Sequence, residues 1–231
     1  MLVDQVYDGD WFGSEAMAIL LSEYDDILGG VDMVVEFDKE EPERMALAVD
    51  ASTSSNFEVI EEKIRKNLEK LKKNKALQEV KYFESQIRDD KGNYYKGELK
   101  DLIPVVVGAD KENVDNLFES FSELKYLEKE NNERSKERRG EIRRELAKNP
   151  IQETFLQEIK LQLETYKEVL QNENIKVVNY CDSLLKIIDE IIEEKEVLLI
   201  GEKSDQVFNN IREFCDIIKE EGDKELKKNI A

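Results

Sequence analysis

Met45-Ala46-Leu47-Ala48-Val49-Asp50-Ala51-Ser52 reads as a strand buried on both faces that ends in a carboxylate. Upstream, Val31-Asp32-Met33-Val34-Val35-Glu36-Phe37 reads as a second strand, entered tightly from Gly29-Gly30. Strand side chains alternate faces, so Asp32, Val34 and Glu36 share one face and Ala46, Ala48 and Asp50 share one face of the next. A hairpin through the polar turn at 38–44 would set the start of the first strand against the end of the second. Asp32 and Asp50 then become neighbours across the ladder. Like charges placed opposite each other are destabilising, so the pair calls for a compensating cation, and a buried charge needs a partner or a metal. A helix predicted over residues 14–28 opens with Glu15, a third carboxylate able to point the same way. Three converging carboxylates suit a hard divalent cation, which takes oxygen ligands. The bland alternative is that each acid is a solvated strand end.

The segment that follows reads as an amphipathic helix over 56–74. Phe57, Ile60, Ile64, Leu68 and Leu71 recur at threes and fours on one face. Ser52-Thr53-Ser54-Ser55-Asn56 offers several capping groups at its start. Lys63 flanks the apolar stripe, from where it can reach Asp50 or snorkel to water. Lys66 is assigned to a different helical face, and Lys81, in a strand over 80–83, is a second candidate amine.

The order helix with Glu, strand with Asp, strand with Asp, helix, strand resembles the PD-(D/E)XK nuclease superfamily, the restriction-endonuclease-like fold. The resemblance covers roughly residues 10–110. It implies a small mixed sheet flanked by helices and Mg2+ (or Mn2+) held by Glu15, Asp32, Asp50 and the carbonyl of Ala51. It also implies a lysine two residues after the second acid, where this chain has Ser52. Some members supply that lysine from the following helix, which makes Lys63 the counterpart here. The implied activity is that of a metal-dependent endonuclease cleaving DNA, with Asp32, Asp50 and Lys63 as its catalytic residues. The alternative is a catalytically inactive relative that acts as an interaction module.

Beyond Leu99 the pattern changes. Residues 102–108 read as a short buried strand closing the sheet, reached through a turn over 88–100, and 110–126 as an amphipathic helix. Residues 125–149 are nearly all Glu, Lys, Arg and Asn, a solvated helix or connector interrupted by Gly140. Helices are predicted over 150–172, 180–194 and 204–221, with Leu198-Leu199-Ile200 a helix end or a short strand. The expected fold class is therefore α/β, a nuclease-like core over 1–110 with a helical C-terminal region over 111–231 that covers it or meets a protein partner. Gln162 and Tyr166 have the Gln-x-x-x-Tyr spacing of a helix near the active site in RecB-like nucleases of the same superfamily. Tyr166 also fits the apolar stripe as core.

Composition narrows the chemistry. The 231 residues contain no histidine, so Ser-His-Asp and Cys-His catalysis and His-ligated zinc are excluded. Two isolated cysteines, Cys181 and Cys215, make no disulfide framework. Gly29-Gly30 precedes a strand rather than a helix, unlike a phosphate-binding loop. No leader or membrane-spanning run is evident, and the expected location is the cytoplasm. The net charge of −19 opposes phosphate binding, but it is uneven. Residues 1–52 hold fourteen acids and two bases, whereas 53–100 hold twelve bases and nine acids. The net-basic segment thus follows directly on the proposed ligands.

Overall fold

The computed structural model describes residues 2–23, 30–38, 45–73, 78–88, 92–130, 132–196 and 205–230. A short helix α1 (Leu2–Asp8) precedes strands β1 (Ala16–Leu20), β2 (Met33–Phe37) and β3 (Met45–Ser52). Helix α2 (Phe57–Lys72) leads to the hairpin β4 (Gln78–Arg88) and β5 (Tyr94–Gly108). Helices α3 (Lys111–Leu127), α4 (Glu133–Ala147), α5 (Ile151–Leu170), α6 (Ile175–Glu196) and α7 (Gln206–Ile230) follow. The five strands form one mixed sheet in the order β1-β2-β3-β5-β4. β1, β2 and β3 pair antiparallel, β5 lies parallel to β3, and β4 is antiparallel to β5.

β3 is buried on both faces, as its sequence predicts: Ala46, Leu47, Ala48 and Val49 are each at most 1% exposed. Leu47 and Val49, with Met33 and Val35 of β2, join the large core shared with the helices. Val34, Ala46 and Ala48 face a smaller core with Val80 and Phe83 of β4 and Leu102 of β5. Ile19 of β1 packs on that same cluster, so the sheet curls until its two ends approach across the concave face. Gly108 marks the closest approach of the parallel strands. A Cβ there would overlap the Ser52 carbonyl oxygen, so only glycine fits.

Two sequence expectations fail here. Residues 16–20 form strand β1 rather than part of a helix over 14–28, and 24–29 lie outside the described residues. Ala-Met-Ala-Ile-Leu is a short apolar run without period, and pairing with the edge of β2 outweighs its helix propensity. The expected turn over 88–100 is also largely strand, since Tyr94 to Leu99 pair with β4. Most of these residues are exposed, so no hydrophobic alternation announced the strand. The links at 39–44 and 198–200 lie outside the described residues. Helices α2, α3 and α5 fall where predicted, whereas α1 was not expected, α6 starts at Ile175 rather than 180, α7 continues to Ile230 rather than 221, and α4 runs through Gly140 without a break. No described helix is long and apolar enough to cross a membrane.

Helix α5 is buried nearly all round and is the strut between the sheet and α6 and α7. Two of its polar side chains complete the sheet. Among the described residues β4 pairs with β5 only as far as Leu102, and no described strand lies on the outer backbone edge of β5 beyond it. Gln162 serves in its place: its Oε1 accepts from Val106 N–H at 2.9 Å and its Nε2 donates to Val106 O at 2.7 Å. One turn earlier, Glu158 Oε2 accepts from Gly108 N–H at 2.8 Å. Burial pushes the Glu158 carboxyl well above the ordinary 4.5 of a glutamate, opposed by the Gly108 hydrogen bond and reinforced by nearby Asp205. Buried backbone groups must be satisfied, and two α5 side chains do this for Val106 and Gly108.

Gln162→Leu should therefore cost about 2–4 kcal/mol in urea unfolding, because it strands two buried backbone groups as well as losing their bonds. A loss under about 0.5 kcal/mol would show that the edge is satisfied otherwise. Glu158 gives a pH signature. Its folded pKa lies above its unfolded one, so the folded state holds the extra proton. Its contribution is full below the unfolded value near 4.5 and is lost as pH rises through the folded value. Glu158→Gln should flatten that decline and raise stability relative to wild type at neutral and alkaline pH, measured as unfolding free energy from pH 4 to 9.

Candidate functional site

The β2–β3 register pairs Met33 with Val49, and Asp32 N–H donates to Val49 O at 3.0 Å, which sets Asp32 opposite Asp50. The cross-strand juxtaposition read from the sequence is thus present. Gly30, with φ +64°, lets the chain enter β2 at this sharp angle. Each carboxylate has a donor. Asp32 Oδ2 accepts from Ala51 N–H at 2.6 Å, and Asp50 Oδ1 takes the Lys63 ammonium at 2.7 Å. The compensating cation that a like-charge pair requires is therefore Lys63, three residues beyond the buried Ile60 and next to the buried Ile64 on α2. The pair is partly shielded, with Asp50 19% and Lys63 32% exposed, so solvent weakens it less than an open surface pair.

These residues line an open cleft of about 350 Å³. Asp32, Asp50 and Ala51 come from the strands, and Lys63, Lys66 and Lys70 from α2, with Asn67 between the last two. Lys66 therefore does not lie on a different face from Lys63. Positions 63, 66, 67 and 70 follow the i, i+3, i+4, i+7 rule and form one flank of the helix. That spacing was available in the sequence and identifies all four together. Lys70 is held below the ordinary lysine value, first by burial and then by neighbouring Lys66, while Asp50 acts in the opposite sense. Three lysines and two carboxylates thus meet around the same cleft.

The other expected residues are placed elsewhere. Glu15 lies in the turn before β1, where its carbonyl accepts from Asp38 N–H at 2.8 Å. That is the opposite end of β2 from Asp32, roughly 20 Å away at strand rise. It does not join the other carboxylates, because residues 16–20 form an edge strand instead of a helix over the site. Among the described residues no group of three acidic, histidine or cysteine side chains could hold a metal ion. Ser52 is 7% exposed and lines a separate apolar pocket with Trp11, Val107 and Phe155. Lys81 is exposed on β4 and lies outside the cleft lining. Gln162 is bonded to the β5 backbone, and Tyr166 is core, its hydroxyl turned toward Asn67 without a hydrogen bond of good geometry. Cys181 and Cys215 are buried free thiols, pushed up to about 12 and about 11 by burial.

The donors that remain, two carboxylates with the Ala51 carbonyl beside them, are hard oxygen ligands. Among the described residues Asp32 Oδ1 has no hydrogen-bond partner. A two-carboxylate set suits Mg2+ better than a closed calcium cage, because Mg2+ keeps several waters and uses one or two carboxylates together with substrate phosphates. Comparisons with protein-family models, curated proteins and solved structures found no match to the chain.

Adding Mg2+ or Mn2+ should raise the melting temperature by mass action, by an amount equivalent to about 2.7 kcal/mol at a hundred times Kd. Asp32→Asn/Asp50→Asn should abolish that rise. Without metal the double variant should be about 1 kcal/mol less stable than wild type, since Lys63 and Ala51 N–H lose charged acceptors. A full metal response in the double variant would remove these carboxylates as ligands.

Proposed function

We propose that the chain is a metal-dependent nuclease of restriction-endonuclease-like type, hydrolysing phosphodiester bonds in DNA. The observation that carries this reading is Asp32 facing Asp50 across the β2–β3 ladder with the Lys63 ammonium 2.7 Å from Asp50. Support also comes from chain order. The acids stand at the start of one strand and near the end of the next, a helix follows, and β5 then pairs parallel to β3. Lys63 supplies from α2 the amine that Ser52 does not supply from β3.

In this reading Asp32 and Asp50 hold the ion, with the Ala51 carbonyl as a further oxygen donor. The bound ion would lower the pKa of water and offset charge on the phosphoryl oxygens. The Ala51 N–H fixes the Asp32 carboxylate, so its orientation does not depend on side-chain freedom. Lys63 neutralises charge that develops on the phosphorane, and its ion pair with Asp50 keeps the ammonium beside the site. In the hydrolysis a water oxygen forms the new bond to phosphorus, the bond to the leaving ester oxygen breaks, and protons exchange with solvent.

A second reading is a catalytically inactive nuclease-like binding module, which Ser52 favours. It stands at the usual lysine position yet faces the apolar pocket rather than the cleft. The two readings separate in one assay. With Mn2+ present, the wild type should cleave DNA. Lys63→Ala should lower turnover at least tenfold, equivalent to ~1.4 kcal/mol of transition-state stabilisation. Lys111→Ala, an exposed lysine paired with Asp115 on α3, should leave turnover unchanged. Absence of cleavage on single-stranded DNA, duplex DNA and RNA would favour the binding module.

A further inference from the structure

Asn67 is a polar side chain of the cleft that the proposed chemistry does not use. It stands on the flank of α2 that carries Lys63, Lys66 and Lys70, and it lines the cleft with them. Only 9% of the residue is exposed. A carboxamide in such a position normally has its donors and its acceptor satisfied, because burying them open costs desolvation without return. Among the described residues the Asn67 amide makes no hydrogen bond of good geometry, and neither of its polar atoms is sealed from solvent. With the rest of the residue covered, that small opening is toward the cleft it lines.

The neighbours of the amide say what fits it. Behind it stands the hydroxyl of the fully buried Tyr166 on α5. A single hydroxyl can engage at most one of the two N–H donors on Nδ2, so at least one stays open whichever way the amide is turned. In front, the other α2 side chains lining the cleft are all lysines, at i−4, i−1 and i+3 from Asn67. Lys63 keeps its ion pair with Asp50, and Lys70 has partners of its own. The open hydrogen bonds are those of the amide. A cation on the amide oxygen would meet like charge from this helix flank, whereas an anionic oxygen would accept from Nδ2 in a favourable field. We infer that Asn67 is a phosphate-binding residue, its Nδ2 donating to a non-bridging oxygen of a phosphodiester held in the cleft beside Asp50 and Lys63. A neutral donor orients that phosphate without competing with Lys63 for Asp50. This inference rests on the nuclease reading for the phosphodiester as ligand, but the hydrogen bond itself is measured without metal and without turnover.

The test is NMR titration of 15N-labelled protein with the dinucleotide d(TpT) in EDTA, following the assigned side-chain NH2 pair of Asn67. The pair should shift saturably. Asn67→Leu, neutral and of similar size, should weaken binding at least about tenfold, the scale of a hydrogen bond to a charged group. Circular dichroism melting should show the variant folded as wild type, and Lys111→Gln, outside the cleft lining, should bind unchanged. Thymidine, which lacks the phosphate, should leave the Asn67 pair in place. The inference is overturned by an NH2 pair that d(TpT) does not move, by a folded Asn67→Leu that binds as tightly as wild type, or by thymidine moving the pair as far as d(TpT) does. If Asn67→Leu does not fold, the shifts in the wild type decide. The two proposals fail separately. A saturable shift without cleavage of DNA in Mn2+ would end the nuclease reading and leave the phosphate contact standing. Cleavage by wild type with KM unchanged in Asn67→Leu would end the contact and leave the nuclease reading standing.

Discussion

The parallel pairing of β3 with β5 is the constraint on which the rest of the molecule depends. Leu47 to Ser52 lie beside Ile103 to Gly108, and most side chains along this paired stretch are buried. Parallel strands cannot be joined by a tight turn, so α2 and β4 lie between them in the chain. Strands buried on both faces must also be covered on both. The helices supply one cover, and the curl of the sheet, which brings β1 toward β4, supplies the other.

That same pairing creates the problem that α5 resolves. Among the described residues β4 pairs no further than Leu102 of β5, yet β5 continues to Gly108 inside the protein. The orphaned backbone groups of Val106 and Gly108 take Gln162 and Glu158 as partners. The price is a carboxyl kept fully buried, its pKa raised by desolvation. The C-terminal helices are therefore a structural part of the sheet rather than an attachment to it. Asn67 links this support to the cleft, since it lines the cleft on one side and has Tyr166 of α5 on the other.

The candidate site lies where β3 ends and α2 passes over it. The ladder forces two acids together, and the structure compensates each locally: a backbone N–H for Asp32 and an ammonium for Asp50. Lys66 and Lys70 stand on the same flank of the helix as Lys63 and line the cleft beside the two acids.

Much of this was determined by the sequence alone. Period-two alternation and the short polar link set Asp32 opposite Asp50, and the spacing of Ile60, Ile64, Leu68 and Leu71 set Lys63 beside the stripe. These are local regularities, and local geometry enforces them. The tertiary structure decided where such regularity was absent. Ala16 to Leu20 has no period, so only the free edge of β2 made it a strand and carried Glu15 away from the site. Tyr94 to Leu99 has little burial to announce it, so only β4 made it a strand. Gln162 has the spacing of a nuclease motif in sequence beside a core reading, and only the fold shows it as the hydrogen-bond partner of the Val106 backbone. In each case the deciding partner lies elsewhere in the chain, and a residue's own neighbours carry no trace of the unpaired edge it will meet.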